Sequence, residues 1–149
     1  MNPTTPPSTT ATTRMLTTSV ADAMHKQILT CSHRSTITEV AQLMTIHQAQ
    51  CVAVVDSAEC APGHRVIRGI VSAGDLLRWA AGPYTHLSVS ELTHDPVVTV
   101  APTRSIQDAA ERMAGHDIDH LLVIDPDHQT PVGILSALDV ARVLAHGNS

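Results

Sequence analysis

Gly69-Ile70-Val71-Ser72-Ala73-Gly74-Asp75-Leu76-Leu77-Arg78 and, later in the chain, Gly133-Ile134-Leu135-Ser136-Ala137-Leu138-Asp139-Val140-Ala141-Arg142 decide the fold. Each is a short apolar run, then Ser-x-x-Asp opening a helix, then Arg three residues after the Asp. A pattern that returns at a fixed distance sets the architecture before any single motif is trusted. Upstream of the signature the two copies align at an offset of 69: Ser19 falls on Ser88, His25 on His94, Thr30 on Thr99, Met44 on Met113 and Asp56 on Asp125. At the signature itself the offset is 64, so the first copy holds five extra residues between Asp56 and Gly69. That stretch is polar and carries Pro62 and Gly63, the form of a tolerated hairpin insertion.

Each copy follows one order of elements. Val20–Met24 and Val89–Thr93 have the form of one-turn helices. Ile28–Cys31 and Val97–Val100 are short, β-branched strands. Thr36-x-x-Glu39 and Ser105-x-x-Asp108 are capping boxes, each opening a helix with apolar residues at helical spacing. Second strands follow over 51–55 and 120–124, third strands over 66–71 and 132–135, and closing helices over 75–81 and 139–145. The expected unit is β-α-β-β-α, twice, in an α/β architecture of the α+β type. Residues 1–18, rich in Thr, Pro and Ser, have little to bury and are expected to form a disordered tail. The repeats are expected over 19–81 and 88–146, joined by a linker at 82–87. Copies of about sixty residues are marginal alone, so they are expected to pack together with pseudo-two-fold symmetry as one module.

Composition removes several function classes. The formal charge is −5 without a basic cluster, and Trp79 and Tyr84 are the only aromatic residues. Neither phosphate neutralisation nor base stacking has a footing, so no nucleic-acid partner is expected. No apolar run approaches the roughly twenty residues that span a bilayer, and no signal-peptide pattern is present. Three cysteines, Cys31, Cys51 and Cys60, do not make a disulfide framework, which points to the cytoplasm. Ten histidines raise a metal site, but no His-x-x-x-His with a helical Glu occurs, and Cys31-Ser32-His33 stands alone. Nucleophile triads, phosphate loops and dinucleotide glycine fingerprints are absent from the sequence, so no enzyme activity is expected.

The order, spacing and duplication of the Gly-x-x-Ser-x-x-Asp signature, with the strand-Asp runs Val52–Asp56 and Leu121–Asp125, resemble the cystathionine β-synthase (CBS) domain. The pair is similar to a Bateman module over about residues 15 to 146. The chain departs from the family pattern at the hairpin insertion and at Gln50-Cys51, where the second copy has Asp119-His120.

The residues themselves allow two roles for the signature. Ser72 and Ser136 stand where a strand meets the free N–H groups of a helix start, a place that favours an anion. Asp75 and Asp139, one turn in, can accept from two adjacent hydroxyls, as carboxylates do with ribose. Equally, Ser-x-x-Asp is a capping box that needs no ligand. Arg78 and Arg142 suit an i,i+3 ion pair with their Asp.

The family resemblance implies ribose contacts for the two Asp residues and phosphate proximity for the two Ser residues. Thr30 and Thr99 are expected to add polar contacts, Ile28, Ile70, Val97, Val98 and Ile134 to wall the base, and His120 to donate in the second copy. The implied ligands are AMP, ADP, ATP or S-adenosylmethionine, with no required cofactor. A homodimer acting in trans on an unknown protein partner is implied as well. The competing expectation is a ligand-free CBS dimer that serves as a structural or protein-interaction module.

Overall fold

A computed structural model describes residues 7–56, 67–82, 88–93 and 97–145. The hairpin insertion and all but the first residue of the expected linker lie outside the described residues. In chain order the elements are α1 (Pro7–Thr17), α2 (Val20–Ala23), β1 (Thr30–Ser32), α3 (Ile37–His47), β2 (Cys51–Val55), β3 (Ile67–Ser72), α4 (Ala73–Ala81), a 3₁₀ turn (Val89–Leu92), β4 (Thr99–Val100), α5 (Ile106–His116), β5 (His120–Asp125), β6 (Thr130–Ser136) and α6 (Ala137–Ala145). They form two compact units, one of Ile28–Val97 and one of Met1–Gln27 with Val98–Ser149.

Each unit contains a three-stranded sheet with the second strand in the middle. In one, β2 runs parallel to β1 and antiparallel to β3; in the other, β5 does the same between β4 and β6. The registers match repeat to repeat: Cys51 lies opposite Ser72 and His120 opposite Ser136. The register shift after Val54 recurs after Val123, at the same offset of 69. All five residues of β2 are buried, which explains why its sequence is an unbroken apolar run. Before α3, Thr36 Oγ1 accepts from the Glu39 N–H at 3.1 Å and Glu39 Oε1 accepts from the Thr36 N–H at 2.8 Å, a complete capping box. Before α5 only half of it forms. Ser105 Oγ accepts from the Asp108 N–H at 3.1 Å, while the Asp108 carboxylate turns to Arg104 at 3.5 Å.

The segment leading into each sequence repeat belongs to the compact unit of the other repeat. Val20, fully buried, sits in one core with Ile106, Leu121 and Leu135. Its N–H donates to the Arg104 carbonyl at 2.8 Å, and His25 exchanges two 2.9 Å backbone hydrogen bonds with Ile134. Val89, the counterpart of Val20, sits in the core with Val40, Val52 and Val71, its N–H donating to the Ser35 carbonyl at 3.2 Å. The repeat in sequence and the unit in space therefore differ by their leading segments.

The glycine that opens the signature follows from this exchange. A Cβ on Gly133 would lie 2.6 Å from Met24 Sδ and 2.7 Å from the His25 carbonyl oxygen, leaving no space for a side chain.

One expectation is corrected. The tail read as disordered is helical from Pro7 to Thr17. Met15 enters the core beside Val20, only 7% exposed. Arg14 Nε donates to the Val143 carbonyl at 2.9 Å and Arg14 Nη2 donates to the Leu144 carbonyl, satisfying the orphan acceptors at the end of α6. The segment is ordered by these two tertiary anchors, because its threonines supply little helix propensity.

Candidate functional site

The signature of the second copy places Ser136 at the last residue of β6 and Asp139 in the first turn of α6. Asp139 Oδ2 accepts from the Ser136 N–H at 2.8 Å and from Ser136 Oγ at 3.1 Å, and Ser136 Oγ accepts from the Asp139 N–H at 3.3 Å. Asp139 Oδ1 faces two cationic or donor groups, Arg142 Nη1 at 2.9 Å and His25 Nε2 at 2.9 Å. The carboxylate is buried, with its side chain 1% exposed, while His25 is 58% and Arg142 52% exposed. A buried carboxylate is tolerable only when hydrogen bonds replace its hydration, and this one has them.

The first copy repeats the arrangement. The Ser72 N–H donates to Asp75 Oδ2 at 2.8 Å, the Asp75 N–H donates to Ser72 Oγ at 3.2 Å, and Arg78 Nη2 lies 2.5 Å from Asp75 Oδ1. Both signatures are capping boxes carrying the i,i+3 ion pair expected from spacing.

Beside Asp139 the structure opens a pocket of about 420 Å³, lined by Arg14, Thr18, Asp22, Ala23, Asp139, Arg142 and Val143. Its walls come from α1, the turn at Thr18, α2 and α6. Of the residues singled out in the sequence as a binding set, Asp139 lines this pocket. Ser136 is buried in the cap behind it. His120 is opposite Ser136 on β5, with Nδ1 held 2.9 Å from Asp119 Oδ1. Ile134 is buried in β6 and bonded through its backbone to His25, so its place is in the sheet rather than on this pocket. Thr99 pairs with Leu122 in β4, and the Val98 carbonyl accepts from the Leu122 N–H at 3.2 Å.

In the other unit Ser72, Asp75 and Ile70 are buried, Thr30 is opposite Ala53, and Ile28 and Val97 are half-buried. Sequence reading missed Arg14, Thr18, Asp22 and Ala23 as pocket walls. Their signal, an ordered leading segment packed on the second repeat, depends on long-range contacts that no local pattern records.

Burial pushes the Cys31 thiol up to about 11, the opposite of nucleophile activation. Among the described residues no group of three or more His, Cys, Asp or Glu side chains could hold a metal ion.

Two repeats of a β-α-β-β-α unit, each ending on a capped helix with a buried Asp, define a tandem CBS-type module. The CBS domain family model matches residues 20–82 and 89–146, and the chain belongs to that family. It is 34% identical over 125 residues to the CBS domain-containing protein YhcV of Bacillus subtilis, covering 83% of each chain. It is also 30% identical over 128 residues to a homoserine O-acetyltransferase of Methanosphaerula palustris. That match takes in 86% of this chain but 24% of the acetyltransferase, so the resemblance is to one part of a larger enzyme.

Among solved structures, a CBS domain pair of protein MJ0100 in complex with 5′-methylthioadenosine and S-adenosyl-L-methionine superposes with a TM-score of 0.74 at 23% identity. The match covers 88% of this chain and 98% of that one. A CBS domain protein from Pyrobaculum aerophilum complexed with AMP superposes at 0.67 with 24% identity, covering 86% and 98%.

Proposed function

We propose that the chain is a regulatory ligand-sensing module that binds an adenine-containing ligand, AMP, ADP, ATP or S-adenosylmethionine, and acts in trans on a partner protein. The observation that carries this reading is the pocket of about 420 Å³ with Asp139 in its wall. Its size is that of a small-molecule site, and it joins a carboxylate suited to hydroxyls with two guanidinium groups. The adenosyl ligands held by the related CBS pairs support the choice of ligand class. For a ribose to reach Asp139 Oδ1, His25 is the partner that gives way, because it is the most exposed of the groups on that carboxylate. The module works in the cytoplasm as a homodimer, and no catalytic step is assigned to it.

A second reading has one observation in its favour: every oxygen of Asp139 already has a partner within the chain. On that reading the signature only caps α6, and the CBS dimer is a structural or interaction module. Thermal unfolding with each of the four ligands separates the two. A ligand present at about 100 times its Kd stabilises by about 2.7 kcal/mol. A rise in Tm with at least one ligand supports sensing, and an unchanged Tm with all four supports the interaction module.

A further inference from the structure

The four charged residues of the pocket beside Asp139 are not equivalent. Asp139 and Arg142 neutralise each other at 2.9 Å. Among the described residues Arg14 donates to carbonyl oxygens, those of Val143 and Leu144, and no carboxylate there balances its positive charge. Asp22 uses its N–H on Ser19 Oγ, and its carboxylate makes no hydrogen bond or ion pair among the described residues. Arg14 and Asp22 line the same pocket without pairing. The pocket is therefore lined by one cation from α1 and one anion from α2 that no opposite charge among the described residues offsets, within a volume that a small molecule fills. The acid has a counterpart in the other repeat, Glu91 at the offset of 69, whereas the position matching Arg14 is Pro83.

We propose that the pocket selects an adenosyl ligand whose far end is an amino acid, with its carboxylate on Arg14 and its cationic groups toward Asp22, over nucleoside phosphates. The inference rests on the adenine-ligand reading above and narrows it. A phosphate would gain Arg14 but would face Asp22, a like charge that discriminates against it. An amino-acid end meets both charges with their complements.

Calorimetry with S-adenosylmethionine, 5′-methylthioadenosine and AMP tests this on the full chain. 5′-Methylthioadenosine shares the adenosyl end and lacks the amino acid. S-adenosylmethionine is expected to bind about tenfold or more tighter than either of the others, the scale of one charge-assisted contact. In Asp22→Asn and in Arg14→Gln the ratio of the Kd for 5′-methylthioadenosine to that for S-adenosylmethionine should fall toward one. Asp22 is exposed, so its variant keeps the test informative if Arg14→Gln weakens the anchoring of α1. Tighter binding of AMP, or a ratio unmoved in both variants, overturns the inference while leaving the adenine-ligand reading intact. Failure of all three ligands to bind overturns this inference, and failure of ADP and ATP as well removes that reading with it.

Discussion

Asp139 carries more of this molecule than its position in a capping box requires. Four donors from three residues converge on its two oxygens, and only one percent of the side chain reaches solvent. Asp139→Asn keeps the size and one acceptor but removes the charge. Unfolding in denaturant should show a loss of about 1.5–3 kcal/mol, the scale of hydrogen bonds to a charged group, rather than the smaller loss of a cap alone. Gly133→Ala forces a Cβ against the backbone oxygen of His25, which cannot swing away as a side chain would. It should cost about 1–3 kcal/mol in the same measurement.

Cys31 gives a pH signature. Its thiol is held up at about 11 by burial, so the folded state keeps its proton where the unfolded chain, near 9.0, loses it. The stabilisation is complete below the unfolded value and is lost as pH rises from there through the folded one. Site-resolved alkylation at pH 8 should find Cys31 about two orders of magnitude slower than an unperturbed thiol. The paired Ser and Asp of each signature were legible in the sequence, because capping and ion pairing are local. The role of His25 was not, because it reaches Asp139 across 114 positions, from 25 to 139.

Among the elements, α1 shows where composition misleads. Its residues look like a solvated tail, yet Met15 is buried with Val20 and Leu121, and Arg14 closes the end of α6. Met15→Ala should lower stability by about 2–4 kcal/mol, measured by thermal or chemical unfolding, and removal of the first 17 residues should do at least as much. A truncated chain with unchanged Tm would return the segment to the status of a loose tail. The strands and capped helices were readable from β-branched runs, helical spacing and Ser/Thr caps. The exchange of leading segments between repeats was not, since two copies of one pattern contain nothing that states which copy a segment packs on.

For the whole molecule, the proposed self-association has a physical basis in the large aliphatic side chains left exposed: Leu77 on α4, Leu138 and Leu144 on α6, and Ile46 on α3. Light scattering at high concentration should give the mass of a dimer, and a clean monomer would contradict that part of the proposal. No described helix is long and apolar enough to cross a membrane. The central claim is that the pocket at Asp139 holds an adenine-containing ligand, and one calorimetric comparison tests it most directly. The unmodified chain, Asp75→Asn and Asp139→Asn are titrated with S-adenosylmethionine, AMP, ADP and ATP. Saturable binding of at least one ligand to the unmodified chain is expected, weakened by about 1.5–3 kcal/mol in Asp139→Asn and by less in Asp75→Asn. Absence of binding by the unmodified chain, or equal affinity in Asp139→Asn, would contradict it.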